Sequence, residues 1–165
     1  MSKYVAAVDL GATSGRVCLG WLEEGLLKLE EIYRFSHEAV IEDGNLYWQW
    51  EYIVDEVIKG LKEARKRGEL ASIGVDFWAV DYGLLDADNN LVNTPRCYRD
   101  SRADKYFEAI PKELTPQYIY GKTGIQFLFF NTLYQLAAEK NEGNLNKAKK
   151  FLMLPDLLNF ILCGS

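Results

Sequence analysis

The stretch from Tyr4 to Ser36 constrains the fold of this chain more than any other. Tyr4-Val5-Ala6-Ala7-Val8 is a short, β-branched, apolar run, and Val17-Cys18-Leu19-Gly20-Trp21-Leu22 is another. Between them lies Asp9-Leu10-Gly11-Ala12-Thr13-Ser14-Gly15-Arg16, polar and glycine-bearing. The pattern predicts two antiparallel strands joined by a turn. Glu23-Glu24-Gly25 makes a second turn, and Leu26 to Phe35 returns as a third strand.

The first turn has its own chemistry. Gly11 and Gly15 are expected to take backbone angles closed to other residues and to let a ligand approach the main chain. Thr13, Ser14 and the N–H groups around them are donors suited to phosphate oxygens. Arg16 adds a fixed positive charge. Asp9, at the strand end, is placed to hold a Mg²⁺ ion or its waters. A polar hairpin turn with ordinary glycines is the other reading that these residues leave open. The segment is not a P-loop, because no Gly-Lys-Ser/Thr follows, and it lacks the Gly-x-Gly-x-x-Gly spacing of a dinucleotide fingerprint.

At 165 residues the chain is long enough for one domain with a real core. A net charge of −5 argues against sequence-independent nucleic-acid binding, which needs a basic face. No apolar run approaches the roughly 18 residues of a membrane span, and Met1-Ser2-Lys3 leads directly into a strand, so neither a membrane segment nor a signal peptide is expected. Cys18, Cys97 and Cys163 form no metal pattern and no disulfide frame. Each reads as a small buried hydrophobe, and a reducing cytoplasm is the expected location. His37, the single histidine, reads as a surface residue in a polar loop from His37 to Leu46.

Trp50, Ile53, Val54, Val57, Leu61 and Ala64 recur at helical spacing, with Arg65, Lys66 and Arg67 at the C-terminus and Gly68 beyond. A helical crossover returns the chain to a strand parallel to the first, Ala71 to Val80. Asp76 and Asp81 then lie near strand ends, where α/β sheets place ligands. Leu84 to Val92 reads as a hairpin with a polar tip. Arg96-Cys97-Tyr98-Arg99-Asp100-Ser101-Arg102 has two readings. It is a solvated loop whose Asp100 or Ser101 caps a helix, or a cleft edge where Arg99, Asp100 and Arg102 bond polyol hydroxyls or organise one another.

A short helix over Pro116 to Tyr120 and an aromatic connector, Thr123 to Phe130, come next. The aromatic residues are assigned to the core. Gln126 and Asn131, which bracket them, are the functional pair, and Asn131 or Thr132 caps a helix with Leu133, Leu136 and Ala137. Asn141 to Asn146 is a surface connection, Lys150 to Leu154 a strand, and Pro155 starts a last helix. The order predicts an α/β, ribonuclease-H-like domain. Its mixed sheet has three antiparallel strands followed by parallel strands, with helices on both faces.

Six segments in this order resemble the FGGY family of carbohydrate kinases, within the superfamily of sugar kinases, hsp70 and actin. They are Ala7 to Arg16, Ser72 to Asp86, Tyr98-Arg99-Asp100-Ser101-Arg102, Gly124-Ile125-Gln126-Phe127, Phe130 to Leu136, and Leu152-Met153-Leu154-Pro155-Asp156. The resemblance implies an actin-like ATPase domain that transfers the γ-phosphate of ATP to a sugar with Mg²⁺. The implied sugar is L-rhamnulose, phosphorylated at its 1-hydroxyl. Gly11, Ala12, Thr13, Ser14, Gly15 and Arg16 are implied to hold the nucleotide phosphates, and Asp9 the metal through water. Trp78, Ala79 and Asp81 are implied to line the sugar pocket, with main-chain contact at Ala79, where some relatives have glycine. Arg99, Asp100, Arg102, Gln126 and Asn131 join them.

Family members have two lobes, and residues 1–165 correspond to the first part of lobe I. The family's general base, an aspartate of a later motif, is therefore expected beyond Ser165, and the chain alone is expected not to turn over. Two other readings stay open. One is a family member acting on xylulose, ribulose, fuculose or glycerol, and the other a non-catalytic actin-like assembly module.

Overall fold

In the computed structural model, which describes residues 3–164, the chain divides into two units. The first holds the residues up to Ala39, Gln49–Ala79 and those from Leu154 on; the second holds Val40–Trp48 and Val80–Met153.

The first unit is built on a meander of β1 (Tyr4–Leu10), β2 (Ser14–Glu23) and β3 (Leu26–Ser36). A fourth strand, β6 (Leu70–Phe77), pairs parallel with β1, giving the order β3-β2-β1-β6. Period-2 alternation in β1 puts Ala6, Val8 and Leu10 in the core while Val5 and Ala7 face out. Helix α1 (Trp50–Arg67) lays the predicted apolar stripe on that core. Gly60 permits a close approach: a Cβ there would stand 2.5 Å from Val17 Cγ2. The last helix, α6 (Leu154–Cys163), packs beside β6 through Leu154, Leu157 and Leu158. On the other face of the sheet Val5 and Leu29 are 41% and 67% exposed, so the expected helix does not cover it there.

The β1–β2 ladder runs further than the sequence suggests. Asp9 pairs with Arg16 and Leu10 with Gly15, which leaves only Gly11, Ala12 and Thr13 in the turn. Neither Gly11 nor Gly15 takes a left-handed φ, contrary to expectation. Gly15 sits inside β2, and its missing Cβ makes room for Leu10 Cδ2 and Phe35 Cζ, each 2.4 Å from where that atom would stand.

In the second unit, the expected polar loop from His37 to Leu46 is largely a hairpin, β4 (Ala39–Glu42) and β5 (Asn45–Trp48). Asp43 and Gly44 turn it with φ of +50° and +77°, the left-handed pair of a tight hairpin. The strands β7 (Tyr82–Leu85) and β8 (Lys150–Met153) pair antiparallel with each other, Tyr82 opposite Met153. The expectation that the late strand extends the parallel sheet is corrected: β6 is the parallel strand of the main sheet. Lys150 and Phe151 are exposed, unlike a parallel strand buried on both faces.

A 3₁₀ turn (Ser101–Ala103) leads into α2 (Asp104–Glu113). Then come α3 (Pro116–Thr123), α4 (Thr132–Asn141) and α5 (Asn144–Lys147). Phe107 of α2 meets Tyr134 of α4 edge to face at 5.1 Å. The thiols are not uniformly buried: Cys97 is, and burial pushes it up to about 11, but Cys18 is half-buried and Cys163 exposed.

Candidate functional site

The turn between β1 and β2 is exposed at Gly11 and Thr13, and its shape is set from within. Gly11 N–H donates to Ser14 O at 2.9 Å, so that donor faces inward. Among the described residues nothing engages the Ala12 and Thr13 N–H groups or the Thr13 and Ser14 hydroxyls. Arg16 does not stand as a free charge. Its Nε donates to Asp9 Oδ2 at 2.7 Å, and the guanidinium is held further above its ordinary range by that carboxylate. Asp9 and Arg16 are cross-strand neighbours, so the ladder itself brings them together.

The residue that straps this turn is one the sequence reading placed on the surface. His37 is 5% exposed. Its main-chain N–H donates to Thr13 O at 3.1 Å, and its Nε2 lies 2.8 Å from Gly11 O. A carbonyl only accepts, so Nε2 carries the proton. The ring stacks on Trp78 with centroids 5.3 Å apart. Burial pushes the imidazole below its usual range, and the Gly11 carbonyl opposes this more weakly. His37 thus ties the turn to the end of β6, where Trp78 N–H donates to Leu10 O. Ala79, next along, is exposed.

The same structure tests Asp9 as a metal residue. No group of three or more His, Cys, Asp or Glu side chains among the described residues forms a metal cage. A single carboxylate, 40% exposed, with one oxygen held by Arg16, fits a Mg²⁺ ion that keeps its waters and takes its other ligands from phosphates.

In the second unit three of the expected sugar ligands turn inward. Asp81 is fully buried: Oδ2 accepts from Trp48 Nε1 at 2.6 Å and Tyr98 N at 3.2 Å, and Oδ1 from Gln135 Nε2 at 3.3 Å. Asp100 caps the 3₁₀ turn through Arg102 N and also accepts from Leu46 N. The Arg102 side chain, 7% exposed, donates to Glu139 Oε1 at 2.5 Å, and Glu139 Oε2 accepts from Asn144. These residues organise the loop from protein partners rather than face outward. Arg99 differs: it is exposed, with its guanidinium 4.9 Å from the Tyr98 ring centroid.

Gln126 and Asn131 do come together. Asn131 Nδ2 donates to Gln126 O at 2.7 Å, and both line a cavity of about 220 Å³ with Val80, Ile119, Thr123 and Thr132. Asn131 is the N-cap residue of α4, but its side chain serves the connector instead. Sequence reasoning missed His37, Gln135 and Glu139. Only their partners identify them, since a lone histidine and two helix residues of ordinary polarity carry no spacing signal.

A meander of three antiparallel strands continued by a parallel strand, with a donor-rich turn at its end, defines an actin-like ATPase fold. Solved sugar kinases share it. A gluconate kinase from Lactobacillus acidophilus superposes with a TM-score of 0.84 at 19% identity, over 97% of this chain and 33% of that one. A xylulose kinase from the same organism gives 0.81 at 20% identity, over 96% and 33%. The chain belongs to the FGGY family of carbohydrate kinases, whose N-terminal domain matches residues 4–165.

Two curated relatives are rhamnulokinases. That of Ligilactobacillus salivarius is 45% identical over 165 residues, 99% of this chain and 34% of its own length. That of Mannheimia succiniciproducens is 46% identical over 97% of this chain and 34% of its length. The chain thus spans about a third of the curated relatives it matches. No helix among the described residues is long and apolar enough to cross a membrane.

Proposed function

We propose that this chain supplies the nucleotide-phosphate turn and part of the sugar site of a kinase that phosphorylates L-rhamnulose at its 1-hydroxyl, using ATP and Mg²⁺. The observation that carries the nucleotide half is the turn at Gly11–Ser14, exposed at Gly11 and Thr13, strapped by His37 and left with unengaged donors. The choice of sugar is supported by the names of relatives at 45% and 46% identity.

The Ala12 and Thr13 N–H groups and the Thr13 and Ser14 hydroxyls donate to phosphate oxygens. Gly15 stays bare so that Leu10 and Phe35 close beneath the turn. Arg16 holds Asp9 Oδ2, and the Asp9 carboxylate would hold the metal ion through water. When bound, Mg²⁺ neutralises and aligns the phosphates. Trp78 and Ala79 are offered as sugar residues of the first unit, and Arg99, Gln126 and Asn131 as sugar residues of the second. Asp81, Asp100 and Arg102 hold main chain in place.

Asp81 accepts from Trp48, Tyr98 and Gln135, and Asp9 is paired with Arg16, so neither is offered as the general base. The base is assigned to the part of the relatives' length that lies beyond the third this chain spans, and on this reading the 165-residue chain alone is expected not to turn over. The test is ADP release by the full-length protein with Mg·ATP and, in turn, L-rhamnulose, L-fuculose, D-xylulose, L-ribulose and glycerol. Preference for L-rhamnulose is expected. Preference for another sugar refutes the substrate, and turnover by the isolated chain refutes the division of labour.

A further inference from the structure

Among the described residues, four that are not glycine take a left-handed φ. Glu24, Asp43 and Asn89 lie at turn tips, where this is common. The fourth is Val80, at +72°. A β-branched side chain there is strained, and such strain persists only where the surroundings over-determine it.

The surroundings are two side chains of α4. The Val80 carbonyl accepts from Thr132 Oγ1 at 3.0 Å and from Gln135 Nε2 at 3.3 Å. Gln135 is 2% exposed, and its amide also reaches Phe130 O at 2.9 Å and Asp81 Oδ1 at 3.3 Å. Asp81 is in turn fixed by Trp48 and Tyr98. Everything downstream of the Val80 Cα is therefore pinned. Its φ then decides which way the preceding peptide points, with the Ala79 carbonyl on one side and the Val80 N–H on the other. A change from +72° to the ordinary negative range would turn that peptide by about 140°. Val80 and Thr132 also line the cavity that holds Gln126 and Asn131.

We propose that Thr132 and Gln135 are positioning residues that lock the Ala79–Val80 peptide in one orientation and thereby set which of its polar groups meets the sugar. The inference rests on the sugar-kinase reading above. Neither side chain touches the sugar; both act through the Val80 carbonyl. Valine suits this task better than glycine. Glycine takes the same angles without strain but flips readily, whereas a valine trapped by α4 does not.

The test is steady-state kinetics of the full-length protein with the sugar varied at saturating ATP, and then the reverse. Thr132→Val with Gln135→Leu is expected to raise the sugar KM about tenfold, as for two lost hydrogen bonds, and to leave the ATP KM unchanged. Val80→Gly is expected to raise the sugar KM while holding or raising the melting temperature. Added to the double variant it is expected to change nothing further. Thr132→Ser keeps the hydroxyl and is expected to retain the wild-type KM.

The proposal is overturned if the sugar KM of the double variant is unchanged, or rises together with the ATP KM. It is also overturned if the Val80→Gly effect multiplies with that of the double variant, because the pair would then not act through Val80. If the double variant does not fold, Val80→Gly alone decides: an unchanged sugar KM refutes the lock. A wild-type protein that phosphorylates none of the sugars overturns the kinase reading itself, and the inference with it.

Discussion

Replacing Gly15 by alanine places a methyl group 2.4 Å from both Leu10 Cδ2 and Phe35 Cζ and 2.6 Å from Phe35 Cε1. Carbon atoms in contact prefer about 3.5–4.0 Å, so the neighbours must retreat by about 1 Å or more. They have little room, since Leu10 and Phe35 are 2% and 6% exposed. Overpacking of this kind costs about 1–3 kcal/mol. Taking about 2 kcal/mol, a chain of this size loses roughly 4–8 °C in melting temperature. Gly11→Ala is the control. Its nearest neighbour is Ser14 O at 3.6 Å and its φ is not left-handed, so a change within about 0.5 kcal/mol is expected. Thermal and urea unfolding followed by circular dichroism measure both. Phe35→Leu added to Gly15→Ala should recover part of the loss by opening space. A Gly15→Ala midpoint equal to wild type, or a Gly11→Ala variant more damaged than Gly15→Ala, refutes the packing argument and returns Gly15 to a role in ligand approach.

Arg102→Met leaves Glu139, whose side chain is 2% exposed, charged without its cation. About 3–5 kcal/mol of stability should be lost in urea titration, and Arg102→Met with Glu139→Leu should recover most of it; a double variant as unstable as the single contradicts this. The His37 imidazole is pushed down in the folded state, so the unfolded chain binds its proton more readily. Its contribution is complete above the unfolded value of about 6.5 and is lost as the pH falls below it. Urea midpoints between neutral and mildly acid pH should therefore drop more steeply in the wild type than in His37→Gln, and parallel slopes would dismiss the effect.

The elements with regular periodicity were legible in the sequence. Ala6, Val8 and Leu10 alternate cleanly, and the α1 stripe from Trp50 to Ala64 lies where its spacing puts it. Asp43-Gly44 carried a hairpin signal that the loop reading passed over. The partner of β8 was not legible, because a four-residue apolar run fits several neighbours equally well. Burial of polar groups was least legible. Asp81 and Arg102 look like ligand residues in sequence, yet their partners Trp48 and Glu139 are more than thirty residues away and reach them only through the fold. Gly15 shows the same limit: a turn glycine and a packing glycine are the same letter.

The central position of β1 sets a timetable for synthesis. One of its edges is filled by β2, which follows after a three-residue turn. The other waits for β6, whose Val75 pairs with Val8 across roughly 65 residues of chain. At a ribosomal pace of about 5–20 residues per second, that second edge stays open for about 3–13 s after β1 leaves the decoding centre. During that interval the nascent meander is a half-finished sheet. Codon choice along α1, which lies in the gap, sets how long it stays so.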